Sequence, residues 1–196
     1  MQTFDIKGTK REVGGKKAAK ALRAEGKVPC IIYGEGKEGV AFAVPESDFR
    51  NLIYTPNVYI VNVDVDGNVK RAVLKDIQFH PLSGKILHVD FLEIRDDKAI
   101  ELSIPVELTG NSEGVRAGGK LQLEMRKLIV KALPGKMPDR VIIDVTDLGL
   151  GKTKKVGELK FDDYEIVNAK SAVIVSVKMT RAARSAEDAS AAAAAK

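Results

Sequence analysis

Apolar and polar residues alternate along much of the first half of the chain, which is typical of half-buried β-strands. The alternation is clearest at residues 59–65, and the Asp-Gly pair at residues 66–67 is a strong signal for a hairpin turn. A return strand is predicted over residues 69–80, a turn at 81–84, and another alternating strand over 85–94. Together these elements predict a small antiparallel β domain, closed as a barrel.

Two continuous apolar runs precede this alternating region. Residues 28–33 (VPCIIY) are rich in β-branched side chains and predict a buried strand, and residues 40–44 predict a second one. Pro45 then begins a helix whose core face includes Phe49 and Leu52. We expect these elements to belong to the same barrel domain.

The segment 16–24 (KKAAKALRA) consists almost entirely of strong helix formers and predicts a helix with two different faces. One face is a basic stripe of Lys16, Lys20 and Arg23. The opposite face carries small or apolar residues that would let the helix sit close to a sheet: Ala18, Ala21 and Leu22. Gly26 is placed to end the helix. Three flanking glycines are expected to provide flexible backbone that approaches a phosphate: Gly8, Gly14 and Gly15.

The second half of the chain predicts strands separated by clusters of turn residues. These strands cover residues 100–108, 121–133, 140–145 and 172–179. A long glycine-rich loop at 110–119 is expected to be mobile or to become ordered on a partner. We therefore expect an N-terminal domain over 1–94, a C-terminal β domain over 95–180, and a disordered Ala/Ser-rich tail over 181–196.

The net positive charge of the chain arises in its first thirty residues. The formal net charge is +5, and residues 1–30 contain eight Lys or Arg against three Asp or Glu, so the other residues sum to zero. Charge concentrated on one short segment favours a surface that binds a polyanion, with nucleic acid as the first partner to consider. The alternative is an ordinary surface helix with a solvated basic face. The stripe has few acidic neighbours for ion pairs, which favours binding.

Length and composition fit a soluble protein of one or two domains. The chain has 196 residues, of which 44% are hydrophobic and 30% charged. No apolar run approaches the roughly 18 residues of a membrane helix, and the first residues lack the apolar core of a signal peptide, so we expect a cytoplasmic protein without membrane contact. The single Cys30 excludes an intramolecular disulfide. The absence of Trp disfavours a base-stacking platform.

Three motifs invite a catalytic or metal-binding interpretation, and each has a simpler explanation. Residues 149–153 (GLGKT) lack the first glycine of a phosphate-binding loop, so a basic turn is favoured. Cys30 lies in an apolar run, where a thiol is normally an inert core residue. His80, His88 and Asp90 lack the paired spacing and the fourth ligand of a zinc site. We therefore expect no catalysis, no metal and no cofactor.

The same polar residues fit a recognition surface better. If strands 69–80 and 85–94 pair, alternation places a hydrogen-bonding cluster on one face of the sheet: Gln78, His80, His88 and Asp90. The opposite, apolar face of the second strand would carry Leu87, Val89 and Phe91. Mixed donors and acceptors suit the shallow minor groove of A-form RNA. The alternative is a set of ordinary solvent-facing polar residues on a half-buried sheet.

Two longer segments carry a resemblance to a known family. They are residues 14–36, GGKKAAKALRAEGKVPCIIYGEG, and residues 75–94, KDIQFHPLSGKILHVDFLEI. In this order and spacing they resemble the bacterial large-subunit ribosomal proteins that bind 5S ribosomal RNA, in the long form called general stress protein CTC. The resemblance implies an N-terminal β-barrel with helices, similar to the anticodon-binding domain of glutaminyl-tRNA synthetase, that docks on the loop E region of 5S RNA. The β-rich second half and the tail look like the extra domain of the long form.

Carried onto this chain, the resemblance implies two groups of RNA contacts. Phosphates would be contacted by Arg11, Lys16, Lys20 and Arg23, with Tyr33 supporting the site at the barrel edge. Base edges or riboses in the minor groove would be reached by Gln78, His88 and Asp90, with His80 and Lys85 nearby. Phe79 stands where many relatives have Arg, and Ala21 where a second basic residue often follows. Each departure removes a possible phosphate contact and lowers the expected affinity or its salt dependence.

The sequence therefore predicts a mainly β protein with minor α content that is a structural, rRNA-binding component of the large ribosomal subunit. It would act in translation in the cytoplasm, as a monomer within the ribosome, beside 5S rRNA and neighbouring ribosomal proteins and rRNA. One alternative is a module that binds tRNA or another structured RNA, because the barrel type is shared with a synthetase domain. Another is a stress-related interaction factor that acts off the ribosome through its C-terminal β domain.

Overall fold

The chain folds into two compact units. The computed structural model describes residues 2–34, 39–161, 163–181 and 184. The first unit comprises Met1–Leu102 and Leu133–Met137, and the second comprises Ser103–Ala132 and Pro138–Lys196. Both are built mainly from β-strands, which confirms the predicted mainly β fold with minor α content.

The first unit is a closed six-stranded barrel with strand order β1-β3-β2-β6-β5-β4. Its strands are β1 (Gln2–Lys10), β2 (Lys27–Tyr33), β3 (Val40–Pro45), β4 (Tyr59–Val65), β5 (Asn68–Phe79) and β6 (Ile86–Glu93). Helix α1 (Lys16–Ala24) connects β1 to β2, and a 3₁₀ turn (Glu46–Phe49) followed by α2 (Arg50–Ile53) connects β3 to β4. The predicted barrel, its strands and the helix after Pro45 are thus confirmed. The expectation that the domain is antiparallel is wrong in part, because β1 pairs with β4 and β2 pairs with β6 in parallel.

Strand β1 closes the barrel and was not predicted from the sequence. It pairs in parallel with β4 from Gln2 to Gly8, and then antiparallel with β3 through Thr9 and Lys10. Only Ile6 of this strand is buried, so its hydrophobic pattern is too sparse to indicate a strand. Gly8, expected to be flexible backbone beside the helix, lies inside β1.

The barrel core is built from aliphatic side chains around three phenylalanines. The rings of Phe42 and Phe49 lie 5.9 and 6.4 Å from that of Phe91, between ring centroids, and all three side chains are fully buried. Cys30 is equally buried, and burial raises the pKa of its thiol well above the ordinary range. The prediction that this cysteine is a core residue is confirmed.

The hairpin between β4 and β5 has the predicted turn. Asp66 and Gly67 have φ values of 52° and 88°, which is the left-handed pair that a type I′ turn requires. The Asp66 carboxylate also accepts a hydrogen bond from the Lys10 backbone N–H at 3.2 Å. The turn therefore also holds the end of β1.

The second unit contains two small sheets. One is four-stranded with order β10-β7-β9-β12, and the other is three-stranded with order β11-β13-β8. The strands are β7 (Ile100–Thr109), β8 (Lys120–Leu123), β9 (Lys127–Ala132), β10 (Val141–Asp144), β11 (Thr153–Lys155), β12 (Glu165–Ile166) and β13 (Val173–Lys178). Two short helical turns lie between them, α3 (Glu113–Arg116) and Val156–Glu158, and the turn Pro134–Lys136 belongs to the first unit. Strands β11 and β12 were not predicted, because two or three residues are too few for a pattern.

The prediction of one continuous strand over residues 121–133 is wrong. The run divides into β8, which pairs with β13, and β9, which pairs with β12 in the other sheet. At the break, the backbone N–H groups of Glu124 and Met125 both donate to the carbonyl of Ile174. Two successive donors on one acceptor end the regular ladder, so the chain leaves the sheet there.

The glycine-rich loop at 110–119, expected to be mobile or to become ordered on a partner, contains a helical turn and packs closely against the residues around Gly149. It contains α3, and Ser112, which is 2% exposed, donates a hydrogen bond from its hydroxyl to the carbonyl of Leu148. Gly114 packs so closely that a Cβ there would lie 2.6 Å from the carbonyl carbon of Gly149. The glycine is needed for close packing, so its presence does not signal disorder.

Two expectations from the second half have different outcomes. Residues 149–153 form a turn at Gly151 that leads into β11, as predicted. In the Ala/Ser-rich tail, Arg181 and Arg184 are helical, and the expectation of disorder otherwise concerns residues outside those that the structure describes. Among the described residues, no helix is long and apolar enough to cross a membrane.

We predict that Gly8→Ala destabilises the barrel by about 1–3 kcal/mol, because the new methyl group would lie 2.5 Å from a ring carbon of fully buried Phe42. The free energy of unfolding in urea tests this. Gly135→Ala is the matched control, since an added Cβ there meets no described atom within 4 Å. Equal losses in the two variants would contradict the packing role of Gly8.

Candidate nucleic-acid interface

Helix α1 is a short, exposed element beside β2. It begins after Gly15, and it ends where Gly26 takes a φ of 76° and donates its N–H to the Arg23 carbonyl, as predicted. None of its nine described residues is buried, so little apolar packing holds the helix.

The face by which α1 approaches the barrel differs from the predicted one. Ala19 and Leu22 are half-buried, whereas Ala18 and Ala21 are exposed. The packed side therefore lies next to the basic stripe rather than opposite to it. This displacement brings Arg23, at the edge of the stripe, close to the sheet.

Arg23 connects the helix to strand β6. Its Nε donates a hydrogen bond to the Leu87 carbonyl at 3.0 Å. Leu87 lies in a β-bulge, because Gln78 pairs with His88 and Phe79 pairs with Ile86, which leaves Leu87 without a partner on β5. A residue outside the regular ladder can offer its carbonyl to a side chain, and Arg23 takes that acceptor.

The bulge also changes which side chains face the core. The sequence predicted that Leu87 shares the core face with Val89 and Phe91, but Ile86 takes that place and Leu87 is only half-buried. The extra residue shifts the alternation by one position. His88 and Asp90 keep their predicted place on the outer face.

The outer face of β5 and β6 carries a compact polar group. Gln78 lies directly opposite His88, and Asp76 lies directly opposite Asp90. The His88 Nδ1 is 2.6 Å from an Asp90 carboxylate oxygen, and because an ionised carboxylate can only accept, the Nδ1–H donates this hydrogen bond. The contact with Asp90 does not use the Nε2 of His88. Asp76 was missed from the sequence, although it follows the same alternation as Gln78.

His80 lies in the turn between these strands. Its Nδ1 accepts hydrogen bonds from the backbone N–H groups of Leu82 and Ser83, at 3.3 and 3.2 Å. The backbone N–H of His80 donates to the carbonyl of Lys85, which comes just before β6. His80 thus stabilises the turn through one ring nitrogen, and any RNA contact of His80 or Lys85 remains a prediction. The described residues contain no group of three His, Cys, Asp or Glu placed to hold a metal ion.

A row of paired residues extends this face across the barrel. The N–H of Arg11 donates to the carbonyl of Ala41, Ala41 pairs with Ile31, Ile31 pairs with Asp90, and Asp90 pairs with Asp76. Cross-strand partners point to the same side of a sheet, so Arg11 lies on the face that carries the two carboxylates.

Burial affects the side chains of two further residues near this face, Tyr33 and Arg11. Burial and the nearby charges of Asp90 and Asp76 raise the pKa of the Tyr33 hydroxyl, so it remains a neutral donor. The Arg11 Nε is buried and has no hydrogen-bond partner among the described residues. An unpaired buried donor on a cation is a group that an anionic ligand would satisfy.

Comparison with known proteins agrees with this architecture. The Ribosomal L25p family model matches residues 6–91, and the model for the C-terminal domain of ribosomal protein TL5 matches residues 99–181. The chain is 52% identical over 192 residues to a protein of Phocaeicola vulgatus, which covers 95% of this chain and 97% of that protein. Its identity to a protein of Porphyromonas gingivalis is 52% over 187 residues, and to one of Bacteroides thetaiotaomicron 50% over 191 residues, with the same coverage. All three relatives are named large ribosomal subunit protein bL25.

The barrel, its basic helix and these relatives place the chain among the structural proteins of the ribosome, which are not enzymes. The chain belongs to the Ribosomal L25p family, in the form that also carries a TL5-type C-terminal domain. The predicted family and the predicted absence of catalysis are both confirmed by these relatives.

We predict that Arg23→Lys loosens α1 although the charge is unchanged, because lysine lacks the Nε–H that bonds the Leu87 carbonyl. Amide exchange in α1 should become roughly five-fold faster, equivalent to about 1 kcal/mol for one net hydrogen bond. Lys20→Arg is the control, since it changes the same two residue types elsewhere on the stripe. If both variants left exchange in α1 unchanged, this hydrogen bond would not hold the helix.

Proposed function

We propose that this chain binds 5S ribosomal RNA within the large ribosomal subunit, with α1 on the phosphate backbone and the outer face of β5 and β6 in the minor groove. The observation that carries the proposal is the hydrogen bond from Arg23 to the Leu87 carbonyl. This bond fixes a basic helix beside a polar sheet face. Phosphate contacts can then set the position, and the sheet can read the groove.

The electrostatics of α1 support the phosphate contacts. Lys16, Lys20 and Arg23 are all exposed, and no acidic residue lies in the first turn of the helix. Arg11 adds a fourth cation at the start of the row across the barrel, and a phosphate oxygen would satisfy its buried Nε. The guanidinium of Arg23 keeps its outer nitrogens for a phosphate while its Nε holds Leu87.

The chemistry of the sheet face supports minor-groove readout. Gln78 offers both a donor and an acceptor, and His88 offers its Nε2. Asp76, Asp90 and Tyr33 complete a mixture of acceptors and donors that suits ribose hydroxyls and exposed base edges. The carboxylates of Asp76 and Asp90 would repel phosphates. This repulsion favours an orientation in which the RNA backbone lies on α1 and the minor groove lies on the sheet.

The decisive experiment compares binding of the full chain to 5S rRNA, to tRNA and to a generic RNA duplex over a series of salt concentrations. We expect a preference for 5S rRNA that persists as salt rises, because groove contacts do not depend on counterion release. Equal affinities that fall together would contradict the proposal. A preference for tRNA would instead support the alternative of a tRNA-binding module.

We predict that Lys16→Glu combined with Lys20→Glu reduces 5S rRNA affinity at least a hundred-fold at moderate salt, because two attractive phosphate contacts become repulsive. Arg23 is left intact so that α1 stays in place. Filter binding measures the affinity, and circular dichroism checks the fold. Lys127→Glu with Lys160→Glu makes the same charge change at exposed positions of the second unit. Similar losses in both variants would show that net charge alone drives binding.

We predict that Gln78→Ala lowers the preference for 5S rRNA over the generic duplex roughly ten-fold, the value for one or two lost hydrogen bonds. The salt dependence should stay unchanged, because Gln78 carries no charge. Gln2→Ala removes an exposed amide from β1 and is the control. An unchanged preference would exclude Gln78 from the readout.

A further inference from the structure

The second unit carries a concentration of basic side chains at one end of its three-stranded sheet. They come from two segments, 114–123 and 176–184, neither of which contains an acidic residue. The five residues form what we call the C-terminal basic cluster: Arg116, Lys120, Lys178, Arg181 and Arg184. All five are exposed. The cluster does not show in the net charge of residues 31–196, because acidic residues elsewhere in that range cancel it.

Pairing in the sheet brings the two segments together. Lys178 lies directly opposite Lys120 across β13 and β8. Just beyond, the Thr180 hydroxyl donates to the Gly118 carbonyl at 2.6 Å, which ties the end of β13 to the segment between α3 and β8. Arg116, the last residue of α3, is two positions before Gly118. Lys120 and Arg116 therefore both lie beside the end of β13.

A helical turn adds the last two cations. The N–H of Arg184 donates to the Thr180 carbonyl at 3.0 Å, and Arg181 and Arg184 are both helical. Residues three apart on a helix share a side, so these two guanidinium groups are neighbours. The turn begins at the same threonine that is bound to Gly118, which keeps both arginines near Lys120 and Lys178.

Few ion pairs balance the positive charges of the C-terminal basic cluster. Like charges directly opposite each other on two strands destabilise a sheet, and Lys178 and Lys120 form such a pair. Among the ion pairs between described residues, only that of Lys178 with Glu124, at 3.7 Å, involves the cluster. The basic side chains of the cluster therefore repel one another, and an anionic partner would reduce this repulsion.

The composition around the cluster favours RNA phosphates over an acidic protein. Stable protein interfaces have buried aromatic or aliphatic anchors at their centre. Of the exposed large hydrophobic side chains in the described part of the chain, Met179 alone lies in these two segments. Neither segment contains an aromatic residue, so bases would not be stacked. Exposed arginines and lysines fit contacts to a phosphate backbone that do not depend on sequence.

We propose that the C-terminal basic cluster binds the phosphate backbone of RNA, as a second contact separate from the one assigned to the barrel. The proposal does not depend on 5S rRNA being the partner of the first unit. It gives the C-terminal domain a role of its own: it holds a stretch of RNA backbone by charge, without reading its sequence.

The test measures binding of the full chain to a generic RNA duplex over a salt series. The variant carries Arg116→Gln, Lys120→Gln and Arg181→Gln, and leaves Lys178 with its partner Glu124. Its matched control carries Lys127→Gln, Lys160→Gln and Lys170→Gln, three exposed lysines of the same unit. We expect the slope of log affinity against log salt to fall by about three in the variant, one for each lost phosphate contact, and to stay unchanged in the control.

Two results would overturn the proposal. One is an equal change of slope in both variants, which would mean that only net charge matters. The other is competition by poly-glutamate as strong as competition by RNA at equal charge concentration, which would indicate an acidic protein partner. Circular dichroism of each variant checks the fold. The preference for 5S rRNA over tRNA should be the same in all three proteins, so failure here is distinguishable from failure of the function proposed for the barrel.

Discussion

The parallel pairing of β1 with β4 is the constraint on which the first unit depends. It joins the two edges of a sheet that would otherwise stay open, and a closed barrel leaves no strand edge unpaired. Closure also requires Gly8, because the ring of Phe42 occupies the space where a side chain would lie. Since α1 follows β1 after a few residues, closure of the barrel also determines where the basic helix begins.

A single irregularity joins the two parts of the proposed RNA surface. The bulge leaves Leu87 without a partner on β5, and Arg23 binds the carbonyl of Leu87. The same bulge shifts the alternation of β6, so that Ile86 enters the core while His88 and Asp90 remain outside. One extra residue therefore orients a helix and a polar face together, and the helix needs no buried side chain of its own.

The two basic surfaces differ in how the chain produces them. In the barrel unit the cations are close in sequence and appear as a charged segment. In the second unit they come from two segments about sixty residues apart, joined by the pairing of β8 with β13 and by the hydrogen bond from Thr180 to Gly118. Residues 31–196 have no net charge, yet part of that range can still present a positive surface, because folding separates cations from the acids that balance them.

Local pattern in the sequence determined the mainly β class, the strands from β2 to β6, the type I′ turn at Asp66 and Gly67, the position of α1 and the polar residues Gln78, His88 and Asp90. These features depend on neighbouring residues, through alternation, helix propensity and turn geometry. Only the tertiary structure decided the rest: β1 as the closing strand, the bulge at Leu87, the division of residues 121–133 between two sheets, and the C-terminal basic cluster. Each of these depends on pairing between distant segments, and the free energy of such contacts leaves no periodic signature in either segment alone.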